Sequence, residues 1–221
     1  MKALVFDFDG TILDTEQAEY TAWTQAYARY GGELTLHDYL PLIGTAEPVF
    51  DLYAHLEAQI GPYDREAFDR ERQEVLHSLL AQLEPLPGVP ECLEQARKLG
   101  LKLAVASSSS AAWVLGHLEQ HHLLQAFDHV ITREYVARTK PDPALFLKAA
   151  EALQVAPAEC VAVEDSLNGV RAARAAGMFT IAVPNPLTRH QDLRQADVLL
   201  PSLAGLELEP FLSSLKPVHP R

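Results

Sequence analysis

Two carboxylates one residue apart, Asp7 and Asp9, directly follow the apolar run Ala3-Leu4-Val5-Phe6, and Gly10-Thr11 follow at once. The run has the composition of a strand, and a glycine just past it marks where the chain turns. A strand over 3–6 puts Asp7 at its carboxyl end, where open α/β sheets bind ligands. Strand side chains repeat every second residue, so Asp7 and Asp9 are expected to point the same way. Acids so placed repel each other, an arrangement that stability alone does not select. A divalent cation relieves the repulsion, and Mg²⁺ favours one or two carboxylates together with a substrate phosphate. Read by itself, the pair is also compatible with a plain polar turn at a strand end.

The elements that must position such groups follow from the apolar spacing. Residues 15–30 carry Ala18, Ala22, Trp23, Ala26 and Tyr30 at helix spacing, and Gly31-Gly32 ends the run. A second helix is expected over 47–60, closed by Gly61-Pro62, and a third over 64–83 behind an Asp64 cap. Nothing from Thr15 to Leu86 reads as a strand. The breaker cluster Pro85-Leu86-Pro87-Gly88-Val89-Pro90 then opens an alternation. Helices are expected over 90–99, 111–120, 143–153 and 167–176, and strands over 102–106, 129–132, 160–163 and 179–183. This predicts an α/β fold, a Rossmann-like doubly wound parallel sheet with helices on both faces. Residues 1–14 and 87–221 form that core domain, and 15–86 form a helical insertion after its first strand. Val198-Leu199-Leu200 is one more short apolar run, and the tail beyond it has no assignable pattern.

In that topology four polar groups share one rim, at strand ends or in the loops after them. They are Asp7 with Asp9, Ser107 with its neighbouring serines, Lys140, and Glu164-Asp165. One polar strand end is ordinary, but four on one rim have the composition of an active site. Carboxylates suit a metal and a nucleophile; a hydroxyl and an ammonium suit a phosphate. Singly, each has a plainer reading. Lys140 is a solvated loop lysine, Ser107 to Ser110 a helix start, and Glu164-Asp165 a cap with a surface charge. His121-His122 and the other histidines lack metal spacing, Trp23 reads as core of the insertion, and Arg171 and Arg174 as solvated.

Composition bounds the partners. The 221 residues, 48% hydrophobic and 22% charged, are ordinary for a soluble globular chain of one large domain or a domain with an insertion. A net charge of −12 argues against a nucleic-acid backbone or an anionic membrane as partner. An acidic protein that takes a phosphate needs a metal and local positive groups. Cys92 and Cys160 form no CxxC pair and read as small buried residues in a reducing compartment, without a disulfide or a zinc site. Four apolar residues before Asp7 are too few for a signal peptide, and no run approaches the roughly 18 of a membrane span. The expectation is a soluble, cytoplasmic protein, monomeric by default.

Asp7-Phe8-Asp9-Gly10-Thr11, Val105-Ala106-Ser107, Lys140-Pro141-Asp142-Pro143 and Val163-Glu164-Asp165-Ser166 resemble, in order, the four motifs of the haloacid dehalogenase superfamily. Within it, Asp14-Thr15, Trp23, Ala106-Ser107-Ser108-Ser109 and Glu164-Asp165-Ser166-Leu167-Asn168-Gly169 look like the β-phosphoglucomutase-like group of phosphatases. The resemblance covers roughly residues 1–187 and makes the insertion 15–86 a helical cap domain. It implies Asp7 as nucleophile, forming an aspartyl-phosphate, and Asp9 as general acid and then base. It also implies Mg²⁺ held by Asp7, the Asp9 backbone carbonyl and Asp165, with Glu164 in or beside the ligand set. Ser107, Ser108, Lys140 and backbone N–H groups from Phe8 to Gly10 would take the phosphoryl oxygens. The cap would hinge near Asp14-Thr15 and Leu83–Pro87 and exclude water.

Three chemistries share this scaffold. The superfamily's dehalogenases lack the second aspartate, so Asp9 favours phosphoryl transfer. In the β-phosphoglucomutases a cap arginine follows a Gly-x-Ser turn and a histidine stands in the first cap helix. Here the matching positions are Glu47, after Gly44-Thr45-Ala46, and Glu19. Both departures favour a phosphatase acting on a small phosphate ester over a phosphosugar mutase. The acidic cap points to a sugar- or polyol-type leaving group. A non-catalytic phosphate-ligand binding protein on the same fold is a further alternative, with little reason to keep Asp7, Asp9, Lys140 and Asp165 together.

Overall fold

The computed structural model describes residues 1–46 and 50–215. Six parallel strands form one sheet: β1 (Ala3–Phe6), β2 (Lys102–Ala106), β3 (His129–Ile131), β4 (Cys160–Glu164), β5 (Phe179–Ala182) and β6 (Val198–Leu199). Their order is β3-β2-β1-β4-β5-β6. The chain builds outward from β1 to β3, then crosses back to lay β4 on the other side of β1. That reversal leaves a crevice between the carboxyl ends of β1 and β4.

The central strands are apolar along their middles because both faces are covered. Leu4, Phe6, Leu103, Val105, Val161 and Val163 face one way, onto helices α5 (Val89–Lys98), α6 (Ala111–Gln120) and α9 (Leu208–Ser214). Ala3, Val5, Ala104, Ala106, Cys160 and Ala162 face the other way, onto α7 (Ala144–Leu153) and α8 (Leu167–Ala175). The second face is nearly all small residues, which draws Ala149, Ala150, Ala172 and Ala173 close to the sheet.

Between β1 and α5 the chain makes a helical layer of α1 (Thr15–Tyr30), α2 (Leu36–Tyr39), α3 (Leu52–Ile60) and α4 (Arg65–Leu80). Asp14 caps α1 by accepting from the Gln17 N–H, and Gly31, at φ 85°, closes it. Helices α1 and α4 meet through Ala18 and Ala22 against Leu76 and Leu80. A second, aromatic nucleus gathers Trp23, Tyr27, Tyr30 and Tyr63 around the buried Phe68. Where the layer departs from and rejoins the sheet domain, the Leu86 N–H donates to the Ile12 carbonyl at 2.8 Å.

Several expected boundaries shift. The helix read over 47–60 begins at Leu52, because Asp51 accepts from the N–H groups of Tyr53 and Ala54 and so sets the N-terminus. Residues 47–49 lie outside the described residues. The helix read over 64–83 keeps its Asp64 cap but ends at Leu80. The helix read over 90–99 starts one residue early, after Gly88 at φ 89°. Helices α2 and α9 had no counterpart in the sequence reading. Arg174, read as solvated, is ion-paired with Asp197 and half-buried. Among the described residues no helix is long and apolar enough to cross a membrane.

Candidate active site

Asp7 stands one residue past β1, and its N–H continues the ladder to the Val163 carbonyl at 2.9 Å. Its buried carboxylate accepts from the Lys140 ammonium, which also reaches Glu164 Oε1 at 2.6 Å. One fully buried lysine therefore ties the ends of β1 and β4 together. Lys140 comes from the loop before α7, joined to Pro141 by a cis peptide, with its nitrogen 5.0 Å from the centre of the Phe146 ring. Burial works against the ammonium, yet Asp7 and Glu164 outweigh it and hold its pKa above the ordinary lysine value.

Glu164, the last residue of β4, is wholly buried. Its Oε2 accepts from the Asp165 N–H at 3.0 Å, the Ser166 N–H at 3.1 Å and the Ser166 hydroxyl at 3.1 Å. These donors open α8, where unpaired N–H groups favour an anion. One turn on, a Cβ at Gly169 would fall inside the Glu164 carboxylate. The run from Glu164 to Gly169 is thus a seat shaped for one carboxylate.

Asp165 faces the other way, accepting from the Asn185 amide at 2.8 Å and the Thr11 hydroxyl at 3.3 Å. Gly10 packs against this pair. It sits at φ 80°, and any side chain there would strike Asp165 and Asn185. Its N–H goes to the Leu13 carbonyl at 2.7 Å. Gly10 thus closes the turn with its N–H and leaves the room that Asp165 and Asn185 occupy.

One oxygen from each of Asp7, Glu164 and Asp165 lies within 4.8 Å of the others, all three buried. Burial, reinforced by Glu164 and Asp9 and opposed by Lys140, pushes the Asp7 carboxyl up to about 8. Asp165 is held well above the carboxylate range by burial first, then by Glu164 and Asp7. This donor set is all oxygen and more negative than one lysine balances, which suits a small, hard divalent cation.

Asp9 is held apart from that cluster. Its Oδ1 accepts from the Thr15 hydroxyl and from the Trp113 indole N–H, each at 2.7 Å. Its Oδ2 accepts from the Ser109 hydroxyl at 2.6 Å and the Ser107 hydroxyl at 3.3 Å. Ser107 also receives the Ser109 N–H at 3.0 Å, and the Ser108 hydroxyl donates to the Gly44 carbonyl at 3.1 Å. Both serines expected on a phosphate are thus engaged with Asp9 and with the helical layer. Thr15, Ser109, Trp113, Thr11 and Asn185 complete the constellation without having been singled out as site residues from the sequence. Ser109 was within reach of that reading, as one of a run of serines after β2. Thr11 and Thr15 stand in motifs quoted from the sequence, whereas Trp113 and Asn185 gave no signal by type or spacing.

A cleft of about 330 Å³ opens between the sheet and the helical layer. Asp7, Asp9, Ser108 to Ser110, Trp113 and Arg133 line it from one side, and Thr15, Glu16, Glu19 and Gly44 to Ala46 from the other. Burial, followed by Asp9, Asp7 and Glu19, holds the Glu16 carboxyl well above its usual range. Glu19 pairs at 3.2 Å with the buried Arg72, whose guanidinium lies 4.4 Å from the Trp23 ring centre. Glu47, weighed in the sequence reading, lies outside the described residues.

A profile of the haloacid dehalogenase-like hydrolases matches residues 1–177. The Bacillus subtilis (strain 168) protein named "Putative phosphatase YhcW" is 42% identical over 216 residues, covering 97% of this chain and 98% of its own. Hexitol phosphatase B of Escherichia coli (strain K12) is 33% identical, covering 95% and 96%. Among solved structures, a β-phosphoglucomutase from Clostridium difficile superposes with a TM-score of 0.75 at 25% identity, covering 96% of each chain. CbbY from Rhodobacter sphaeroides, solved in complex with phosphate, gives 0.72 at 30% identity, covering 94% of this chain and 96% of its own. The buried carboxylates at the end of β1 and β4 stand on the fold those relatives share, and the chain belongs to the haloacid dehalogenase-like hydrolases as a phosphoric monoester hydrolase.

Proposed function

We propose that the protein is a Mg²⁺-dependent phosphatase that hydrolyses a small sugar- or polyol-phosphate monoester through an aspartyl-phosphate on Asp7. The observation that carries this reading is Asp7 itself. It is buried beside Lys140 and two further carboxylates, and it opens onto a cleft that it shares with Asp9. Asp7, the Asp9 carbonyl and Asp165 would hold the ion, with Glu164 beside them. When bound, the ion supplies charge neutralisation for the transferring phosphoryl group.

In the first step an Asp7 oxygen bonds to phosphorus as the ester P–O bond breaks, and Asp9 gives its proton to the departing alkoxide. In the second, Asp9 takes a proton from water as that water attacks the same phosphorus, which releases phosphate and restores Asp7. Lys140 and Ser107 hold phosphoryl oxygens meanwhile. Residues 15–86 act as a cap that closes over the ester and excludes bulk water, turning at Asp14-Thr15 and Leu83–Pro87.

Glu16 and Glu19 line the cap side of the cleft, where their carboxyl groups can hydrogen-bond the hydroxyls of a sugar or polyol. Similarity to a hexitol phosphatase supports the same substrate class. A mutase is the second reading, favoured by the fold shared with a β-phosphoglucomutase and disfavoured by Glu19 and Glu47, which stand where the mutases carry a histidine and an arginine. Phosphate release from hexose, pentose and hexitol monophosphates, with Mg²⁺ and with EDTA, decides between them. Metal-dependent release, abolished in Asp7→Asn, is the expected result. Conversion of β-glucose 1-phosphate to glucose 6-phosphate without net release establishes the mutase instead.

A further inference from the structure

Trp113 holds a position that the chemistry above leaves unused. It lies in the first turn of α6, next to the serine run, and its indole N–H donates to Asp9 Oδ1 at 2.7 Å. Its ring stands edge-on to His117 at 4.5 Å between centroids, and His117 in turn stacks on Phe8, the residue between the two aspartates. The ring also packs against the α1–α4 contact of Ala18, Ala22, Leu76 and Leu80. One side chain is therefore wedged between the sheet domain and the helical layer and ends on Asp9.

We infer that Trp113 is a positioning residue: it sets the direction of the Asp9 carboxyl group and makes that direction depend on how the helical layer is seated. The physical argument is geometric. A carboxylate on a short side chain rotates freely unless its oxygens are held, and proton transfer requires a heavy-atom approach of about 3 Å along a defined line. Of the four donors on Asp9, three are hydroxyls, which rotate to suit. The indole N–H is fixed in direction by the plane of a ring that packs against both the sheet-domain core and the helical layer. It is the rigid member of the set.

This inference rests on the proposed role of Asp9 as proton donor to the leaving oxygen, and leaving-group chemistry tests it. A sugar or polyol alkoxide needs that proton, whereas p-nitrophenolate departs with little help. Trp113→Phe keeps an aromatic ring in the wedge and removes the donor. With Mg²⁺ present, kcat/KM for hexitol phosphate is expected to fall at least tenfold, and at least fivefold more than kcat/KM for p-nitrophenyl phosphate. Leu76→Ala, which loosens the wedge from the layer side, is expected to shift the same ratio in the same direction.

Equal losses for both esters, or a loss confined to KM, would mean a merely structural tryptophan and overturn the inference while leaving the phosphatase standing. A wild-type protein inactive on both esters overturns the proposed function and this inference with it. A separate readout follows the contact directly. In a Trp23→Phe background Trp113 is the sole tryptophan, and Asp9→Ala should shift its emission maximum; an unchanged spectrum counts against the contact.

Discussion

Gly169 and Glu164 compete for the same volume: the space a Cβ would fill at Gly169 is taken by the Glu164 carboxylate. Alanine inside a helix is ordinarily worth about 1 kcal/mol over glycine. At this position the sign reverses, because the carboxylate has no other place where three donors meet it. Gly169→Ala is expected to destabilise the protein by roughly 1–3 kcal/mol, the cost of overpacking a buried site. Urea unfolding measures it, and a gain in stability would show that Glu164 can sit elsewhere. Phosphatase activity should fall with it, since Glu164 shares Lys140 with Asp7.

The raised Asp7 carboxyl makes metal-free stability depend on pH. A group whose folded pKa is raised binds its proton more tightly folded than unfolded. Its contribution to stability is therefore present at low pH and lost as pH climbs from 3.8 towards about 8. In EDTA the wild type should lose stability relative to Asp7→Asn steadily across that window. Saturating Mg²⁺ should remove the loss, because the ion binds the ionised form and stabilises the folded state by mass action. Thermal melts of both proteins at several pH values supply the comparison. A difference that stays flat with pH contradicts the burial argument.

Both thiols should be silent in the native protein. Burial pushes Cys92 up to about 12, and Cys160 rises to about 11 through burial and then Glu159. Thiol reagents attack the thiolate, which is scarce at such values, and both side chains are packed inside the sheet domain. A chromogenic disulfide reagent at pH 8 should titrate no cysteine in the folded protein and two in urea. Rapid reaction of either one in buffer would place it at the surface.

The strand ends were legible because both-sided burial writes β1, β2 and β4 as largely apolar runs, and the polar residue that ends each run marks the rim. That is how Asp7, Ser107 and Glu164 could be placed from sequence, and why the paired helices α6, α7 and α8 could be bounded to within a residue or so. Lys140 could be placed only by its company, since a lysine before a proline looks like any exposed loop. Asn185 and Trp113 were not legible for a different reason. Each acts through a single directed hydrogen bond across the fold, and neither periodicity nor local composition encodes the partner. Helix α2, four residues long, is too short to carry a helical period, and its start depends on the Thr35–Asp38 capping box. Gly10 was legible as a turn but not as the space that Asp165 and Asn185 need.

The 2.8 Å bond between the Leu86 N–H and the Ile12 carbonyl fastens the two ends of the helical layer side by side. To the sheet, everything between them is one closed loop, and the entropy of closing a loop grows only slowly with its length. Seventy-odd residues can therefore be lengthened, shortened or exchanged at that stitch while β1 still meets β2 and β4 in the same register. The carboxylate cluster at the ends of β1 and β4 is thereby insulated from changes of length in the chain that covers it.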